Sequence, residues 1–319
     1  MLKDILSGDD PQVQAITRVI RAADADILVL AGFDYDLHGV ALNAFATALG
    51  GYPYRFARRP NRGRPSGLDL NGDGKFGGAE DAWGFGEFQG QGALAVLSRW
   101  PIDGSTVRDF TATQWTALPH HQALSTVPDT HPLSTTAHWD VPVMLPGGVR
   151  LNILVWHATP PVFDGPEDRN GRRNHDETAF WLAYLDRALP QPPPQHFVLA
   201  GVANLDPVDG DGRTAALDQL LAHPAVQDLA PKSAGGVEAA NDDHTGDPAL
   251  DTADWPEGPN RPGNLRVDYV LPSATLSAKG AGVFWPVAGA SLRDDVETAS
   301  RHRLVWVDIE MPNGLGDSD

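Results

Sequence analysis

Four residues of this chain, His157, Asn204, Asp268 and His302, each stand at or beside the end of a short apolar run. Asp34 and Asp36 close a fifth such run, and Asp206 follows Asn204 by two residues. Carboxylate, amide and imidazole groups collected in this way are the groups of phosphoester chemistry. Imidazoles and carboxylates move protons, and amides and imidazoles donate hydrogen bonds to anionic oxygens. Any one such histidine, taken alone, is equally a hydrogen-bonded residue at a strand end. The weight lies in the repetition, because rigid strands that all deliver polar groups at their ends build a site.

The elements that must position these groups follow from the apolar pattern. Ile27–Leu30, Leu151–Trp156, Phe197–Ala203, Leu265–Leu271 and Arg301–Asp308 read as strands, as does Ala93–Leu97. Asp10 followed by Pro11 reads as a helix N-cap and first helical residue, with Val13, Ile16, Val19 and Ile20 on one face. Further helices are expected over about residues 39–49, 176–189 and 214–222. Residues 60–90 and 233–263 read as polar, Gly-rich loops, and 104–132 show no clear period. Strands and helices alternate with no linker and no internal repeat, so residues 1–319 are read as one α/β domain.

Composition narrows the function classes. A 41% hydrophobic, 21% charged chain of 319 residues can bury a large core. The formal net charge of −18 argues against broad nucleic-acid binding, which needs clustered Lys and Arg. Cysteine is absent, so there is neither a disulfide framework nor a thiolate metal site. This fits an extracytoplasmic or secreted protein, although residues 1–10 carry no signal-peptide core. No apolar stretch is long enough to span a membrane. Neither a phosphate-cradling Gly-x-x-x-x-Gly-Lys motif nor a Gly-x-Ser-x-Gly elbow occurs.

Phe197–Asp211, with Asn204 after the strand, resembles the Gly-Asp-x-Asn strand end of the endonuclease/exonuclease/phosphatase superfamily, the deoxyribonuclease I-like fold. The stretch from His157 to Glu177 resembles a bacterial branch of it, and Arg266–Tyr269 and Ser300–His302 resemble its last two catalytic segments. The resemblance covers nearly the whole chain. It implies an α/β (α+β) four-layer sandwich of two mixed β-sheets packed face to face and flanked by helices. It further implies metal-dependent attack of water on a phosphoester, with His302 as general base and Asp268 fixing its tautomer. Asn204 and His157 would hold the phosphate oxygens, and Mg²⁺ or Mn²⁺ would polarise them. The chain departs from the pattern where the cation is held. Gly32 stands in place of a Glu ligand, Val202 in place of an Asp, and Arg301 in place of another Asp, while the family's opening strand is missing. Asp34 and Asp206 are the nearby candidates to substitute as ligands.

A second metal site is read from spacing. Asp69, Asn71, Asp73, Lys75 (through its carbonyl) and Glu80 fall at positions one, three, five, seven and twelve of a calcium-type loop, with Gly74 at the turn. An acidic turn with no ion is the alternative. Arg169, Arg172 and Arg173 lie in the segment after His157, and Arg55, Arg58, Arg59, Arg62 and Arg64 precede the acidic loop. Arg pairs well with phosphate, and equally well with the many carboxylates. Two functions are therefore carried forward. One is a monomeric phosphoesterase, for phosphodiesters or phosphomonoesters, weakened where its cation carboxylates are replaced. The other is a non-catalytic, calcium-stabilised relative that binds a phosphorylated ligand.

Overall fold

The computed structural model describes residues 1–310. In chain order its elements are α1 (Leu2–Ser7), α2 (Pro11–Ala23), β1 (Ile27–Phe33), α3 (Val40–Leu49), β2 (Tyr54–Phe56), β3 (Ala93–Ser98), β4 (Arg108–Asp109), β5 (His138–Met144) and β6 (Arg150–His157). They continue with α4 (Arg169–Leu185), β7 (Phe197–Val202), α5 (Ala215–Leu221), α6 (Ala234–Glu238), β8 (Asp268–Pro272), β9 (Ser277–Phe284), α7 (Arg293–Ala299) and β10 (Leu304–Glu310).

Side-chain alternation decides the layers, since successive residues of a strand face opposite ways. Leu94 and Val96 of β3 pack on Trp139, Val141 and Val143 of β5 and on Leu151, Ile153 and Val155 of β6. This is the core between the sheets. The other faces meet helices: Ala95 and Leu97 of β3 join α2 and α3 through Ile20, Leu42, Phe45 and Leu49. Leu154 and Trp156 of β6 join Phe180, Trp181 and Tyr184 of α4. Strands buried on both faces read as continuous apolar runs, which is why β3 and β6 were legible. The result is a sandwich with helices outside both layers, as expected.

One layer is a mixed five-stranded sheet, ordered β4-β5-β6-β7-β8, in which β6 and β7 are parallel. The other differs from the expected single mixed sheet. It is two antiparallel pieces, β1-β3-β2 and β10-β9. Among the described residues, β1 pairs only with β3 and β10 only with β9. Helices bridge the two pieces instead: Ala15 and Val19 of α2 pack on Val296 and Ala299 of α7.

Three other readings change. α4 begins at Arg169 rather than near residue 176, so Arg169, Arg172 and Arg173 are helical and not in a loop. Gly171 is compatible with this helix because its backbone passes close to Asp168, where a Cβ would lie 1.9 Å from Oδ1. β5 carries Pro142 and buried polar His138 and Asp140, which hide its strand pattern. The 233–263 loop contains α6, capped by Ser233 Oγ accepting from Gly236 N at 3.0 Å.

Candidate functional site

Pairing register puts three site positions in one row. His157 at the end of β6 pairs with Val202 of β7, and Val202 pairs with Asp268 at the start of β8. Side chains paired across neighbouring strands share a face, so the row presents imidazole, isopropyl and carboxylate together. α4 fastens the ends of these strands. Asn174 Nδ2 donates to Thr159 O at 2.6 Å and Ala203 O at 2.7 Å, and Glu177 Oε2 accepts from Thr159 N at 2.7 Å.

His302 reaches this row from two residues before β10. Its Nδ1 lies 2.9 Å from Asp268 Oδ2 and 3.0 Å from Oδ1. Thr252 orients the carboxylate: its hydroxyl donates to Asp268 Oδ2 at 2.8 Å and accepts from Val267 N and Asp268 N, each at 3.0 Å. Trp255 stands edge-on to the imidazole, with centroids 5.3 Å apart. An ionised carboxylate only accepts, so Nδ1 carries hydrogen and neutral His302 keeps its lone pair on Nε2. Nε2 has no hydrogen-bond partner among the described residues. Burial lowers the His302 pKa, but the charge and hydrogen bond of Asp268 outweigh it. The net shift is upward, with Arg303 opposing.

Asn204 follows β7 in a left-handed conformation, φ 52°, which asparagine tolerates well. Its Nδ2 donates to Ala158 O at 2.7 Å, leaving one amide hydrogen and Oδ1 free. The His157 pKa is pushed down to about 3, first by burial and then by the charges of Arg62 and His302. It is therefore neutral at ordinary pH, and its buried Nδ1 has no partner. His157, Asn204 and His302 line one cavity of about 1580 Å³, together with Arg62, Trp255 and Arg301.

The cation half of the site does not assemble. Gly32 sits at a register slip between β1 and β3 with φ 77°, so a Glu there would be strained as well as new. Asp34 lines a separate small cavity at the end of β1, and its Oδ1 accepts from Gly92 N at 2.9 Å. Asp36 caps α3, accepting from Val40 N at 2.8 Å and Ala41 N at 2.9 Å. Asp206 is buried with both oxygens used: Oδ1 accepts from Val208 N at 2.7 Å and Asp209 N at 3.0 Å, and Oδ2 from Arg266 N at 2.7 Å. The two candidate substitutes therefore hold loops in place. Among the described residues, no three His, Cys, Asp or Glu side chains lie close enough together to hold a metal. A hard cation such as Mg²⁺ needs near-octahedral oxygen ligation, and these side chains do not fit it.

Two of the three arginines after His157 tie helix to loop. Arg173 is buried, donates to Leu133 O at 2.8 Å and Pro132 O at 3.0 Å, and packs against Trp115. Arg169 donates to Leu70 O at 3.1 Å and meets His131 Nε2 at 3.0 Å, which joins α4 to the acidic loop at the cavity wall. Arg172 lies outside the cavity lining and donates to Glu167 O at 3.1 Å. Phe85 is exposed at the cavity mouth, whereas Trp83 packs edge-on against His131. The sequence gives no sign of Thr252 and offers Arg62 only as one of a group of arginines able to pair with phosphate. Thr252 lies in a loop with no period to mark it, and Arg62 is one of five arginines within ten residues.

In the acidic loop, Asp69 Oδ1 accepts from Gly72 N at 2.7 Å and Oδ2 from Gly74 N at 2.9 Å. Asn71 Oδ1 accepts from Asp73 N at 3.1 Å, and Asp73 Oδ1 from Lys75 N at 2.8 Å. These contacts occupy both Asp69 oxygens and leave Asp73 Oδ2 free of backbone bonds. Glu80 has not closed on Asp69 and Asp73. Its neighbour Asp81 is the buried carboxylate, accepting from Leu70 N at 2.8 Å.

The sequence profile of the Endonuclease/Exonuclease/phosphatase family matches residues 5–302. No curated protein matches the chain. Among solved structures, an endonuclease/exonuclease/phosphatase from Beutenbergia cavernae is 17% identical with a TM-score of 0.57, over 94% of this chain and 66% of that one. This chain thus spans just under two thirds of that protein. A family protein from Leptotrichia buccalis is 14% identical with a TM-score of 0.53, over 94% of this chain and 93% of that one. One from Bacteroides thetaiotaomicron is 14% identical with a TM-score of 0.51, over 96% and 89%. Identities this low speak for the fold alone. The profile match runs from α1 to His302 and so takes in every strand end that carries the site, and on that extent the chain belongs to the endonuclease/exonuclease/phosphatase family.

Proposed function

We propose that this protein hydrolyses phosphoesters, with His302 taking a proton from water. The observation that carries this reading is the 2.9 Å contact of His302 Nδ1 with Asp268, which leaves Nε2 unpartnered at a cavity shared with Asn204 and His157. In the proposed reaction Nε2 accepts one proton, the water oxygen bonds to phosphorus, and the ester oxygen leaves with the bond electrons. The free Asn204 amide hydrogen and neutral His157 are suited to hold the non-bridging oxygens where charge builds. Asp268 holds the imidazole in its tautomer and stabilises the imidazolium.

Gly32, Val202 and Arg301 favour a second reading, in which the cavity binds a phosphorylated ligand without turning it over. A panel of phosphodiesters and phosphomonoesters separates the two. Hydrolysis that EDTA leaves within about tenfold, with little gain from magnesium, is the expected result. Val202→Asp, which adds a carboxylate between His157 and Asp268, is expected to make the rate respond to magnesium. Vigorous magnesium-dependent turnover by the unaltered chain would overturn the expectation, and no turnover under any condition would favour the binding reading.

Calcium is proposed for the acidic loop, held by Asp69, Asn71, Asp73, the Lys75 carbonyl and Glu80. Its contribution would be to order this wall of the cavity, since an ion that binds only the folded loop stabilises it. Millimolar calcium is expected to raise the Tm of metal-stripped protein by a few degrees, and Asp73→Ala to remove the rise. An unchanged Tm in the stripped wild-type protein would identify the loop as a hydrogen-bonded turn without an ion.

A further inference from the structure

The guanidinium of Arg62 is a positive charge with no ion-pair partner among the described residues. It is half-buried at the wall of the cavity that presents His157, Asn204 and His302. Its hydrogen bonds are few and long: Nε to Phe85 O at 3.4 Å and Nη1 to Gly92 O at 3.5 Å, with none from Nη2. The carboxylate whose charge acts on it is Asp34, but Asp34 Oδ1 accepts from Gly92 N instead. Arg169 and Arg173, which also line the cavity, spend donors on backbone carbonyls, Arg169 on Leu70 and Arg173 on Leu133 and Pro132.

The chain is built to hold Arg62 there. Gly63 N donates to Gly84 O at 2.8 Å and Gly90 N to Arg62 O at 3.2 Å, so the backbone is fixed on both sides. Gly92 lets the guanidinium lie close to the backbone, since a Cβ there would sit 2.7 Å from Nη1 and displace the end of the side chain, and its φ of 56° also favours glycine. Gly92 in turn is tied to Asp34 at the end of β1. Burial lowers the Arg62 pKa while Asp34 opposes. A guanidinium nonetheless keeps its proton in proteins, so the desolvation is relieved by an anion rather than by neutralisation. Its charge also helps to keep His157 neutral.

We propose that Arg62 is the cationic group of this site and that its guanidinium takes the phosphate oxygens directly, with Asn204, so that phosphate is bound without a divalent metal. The proposal rests on the phosphoester reading and adds to it how the anion is neutralised where carboxylates for a cation are lacking. Arg suits the task because its planar fork offers paired donors to a phosphate.

Titration calorimetry of inorganic phosphate into the full chain, with and without EDTA, tests it. The expected result is an affinity unchanged by EDTA and lowered at least about tenfold by Arg62→Gln. Arg62→Lys should fall between, since a point charge replaces the fork. Phosphate binding that EDTA abolishes, or Arg62→Gln binding phosphate as the wild-type chain does, would overturn the proposal. If Arg62→Gln fails to fold, as judged by circular dichroism, the EDTA comparison and Arg62→Lys decide the matter. A chain that hydrolyses phosphoesters yet binds phosphate independently of Arg62 defeats this inference alone. A wild-type chain that neither binds phosphate nor hydrolyses esters defeats the phosphoester reading with it.

Discussion

Replacing His302 by glutamine is expected to lower phosphoester hydrolysis by about 10²- to 10⁴-fold, the usual contribution of a positioned general base. Glutamine keeps a polar side chain of similar reach but has no lone pair basic enough to take a proton. The rate of the wild-type protein should rise with pH, because only neutral His302 accepts. Asp268 raises the His302 pKa above its ordinary 6.5 against the opposing pull of burial, so the rising limb lies above 6.5. Asp268→Asn removes the charge that raises it and should move the limb to lower pH as it cuts the rate. The stability effect has a definite sign. The folded state binds this proton more tightly than the unfolded chain does. The pair's contribution is therefore full below about pH 6.5 and is lost as pH rises through the folded value. A pH–rate profile with the same inflection in Asp268→Asn would show that Asp268 does not set the base.

The largest stability loss is expected at Glu177. This fully buried residue of α4 accepts from Thr135 N and from Thr159 N, and the second bond is 2.7 Å long. Glu177→Ala leaves two buried N–H groups without an acceptor and Arg173 without its neighbouring carboxylate. Removing one partner from such a buried set costs about 3–5 kcal/mol. Thr159 follows His157 by two residues, so activity should fall with stability. Burial pushes the Glu177 pKa up to about 7, against the lowering influence of Arg173 and the two threonines. A carboxyl raised in this direction gains its proton on folding. Its contribution is thus full below the ordinary value of 4.5 and declines as pH rises toward about 7. Glu177→Gln should flatten that slope while keeping one acceptor. Urea titrations between pH 4.5 and 8 measure both effects. A loss below about 1 kcal/mol in Glu177→Ala, against the 1–3 kcal/mol expected for each orphaned group, would mean that water or a shift of α4 replaces the carboxylate.

What the sequence determined by itself was the set of groups and the strands that carry them. A strand buried on both faces must be apolar throughout, so β3, β6 and β7 announced themselves, and the half-buried β1 did so by its apolar run. The helix at Pro11 was equally local, set by Asp10 and one apolar face. Tertiary structure decided the rest. Whether an aspartate is a ligand or a fastening depends on which backbone N–H groups surround it, and no spacing rule sees those. Asp34, Asp36 and Asp206 turned out to hold Gly92, α3 and the loop after β7. Arg173, read as a candidate for substrate, is consumed by two carbonyls 40 and 41 residues away. Arg62, one of five arginines within ten residues, is set apart by the glycines that fold around it and by its place in the cavity lining. Charge pairing and hydrogen-bond satisfaction are properties of neighbours in space, and in this protein they separate the residues that face the cavity from those that build its wall.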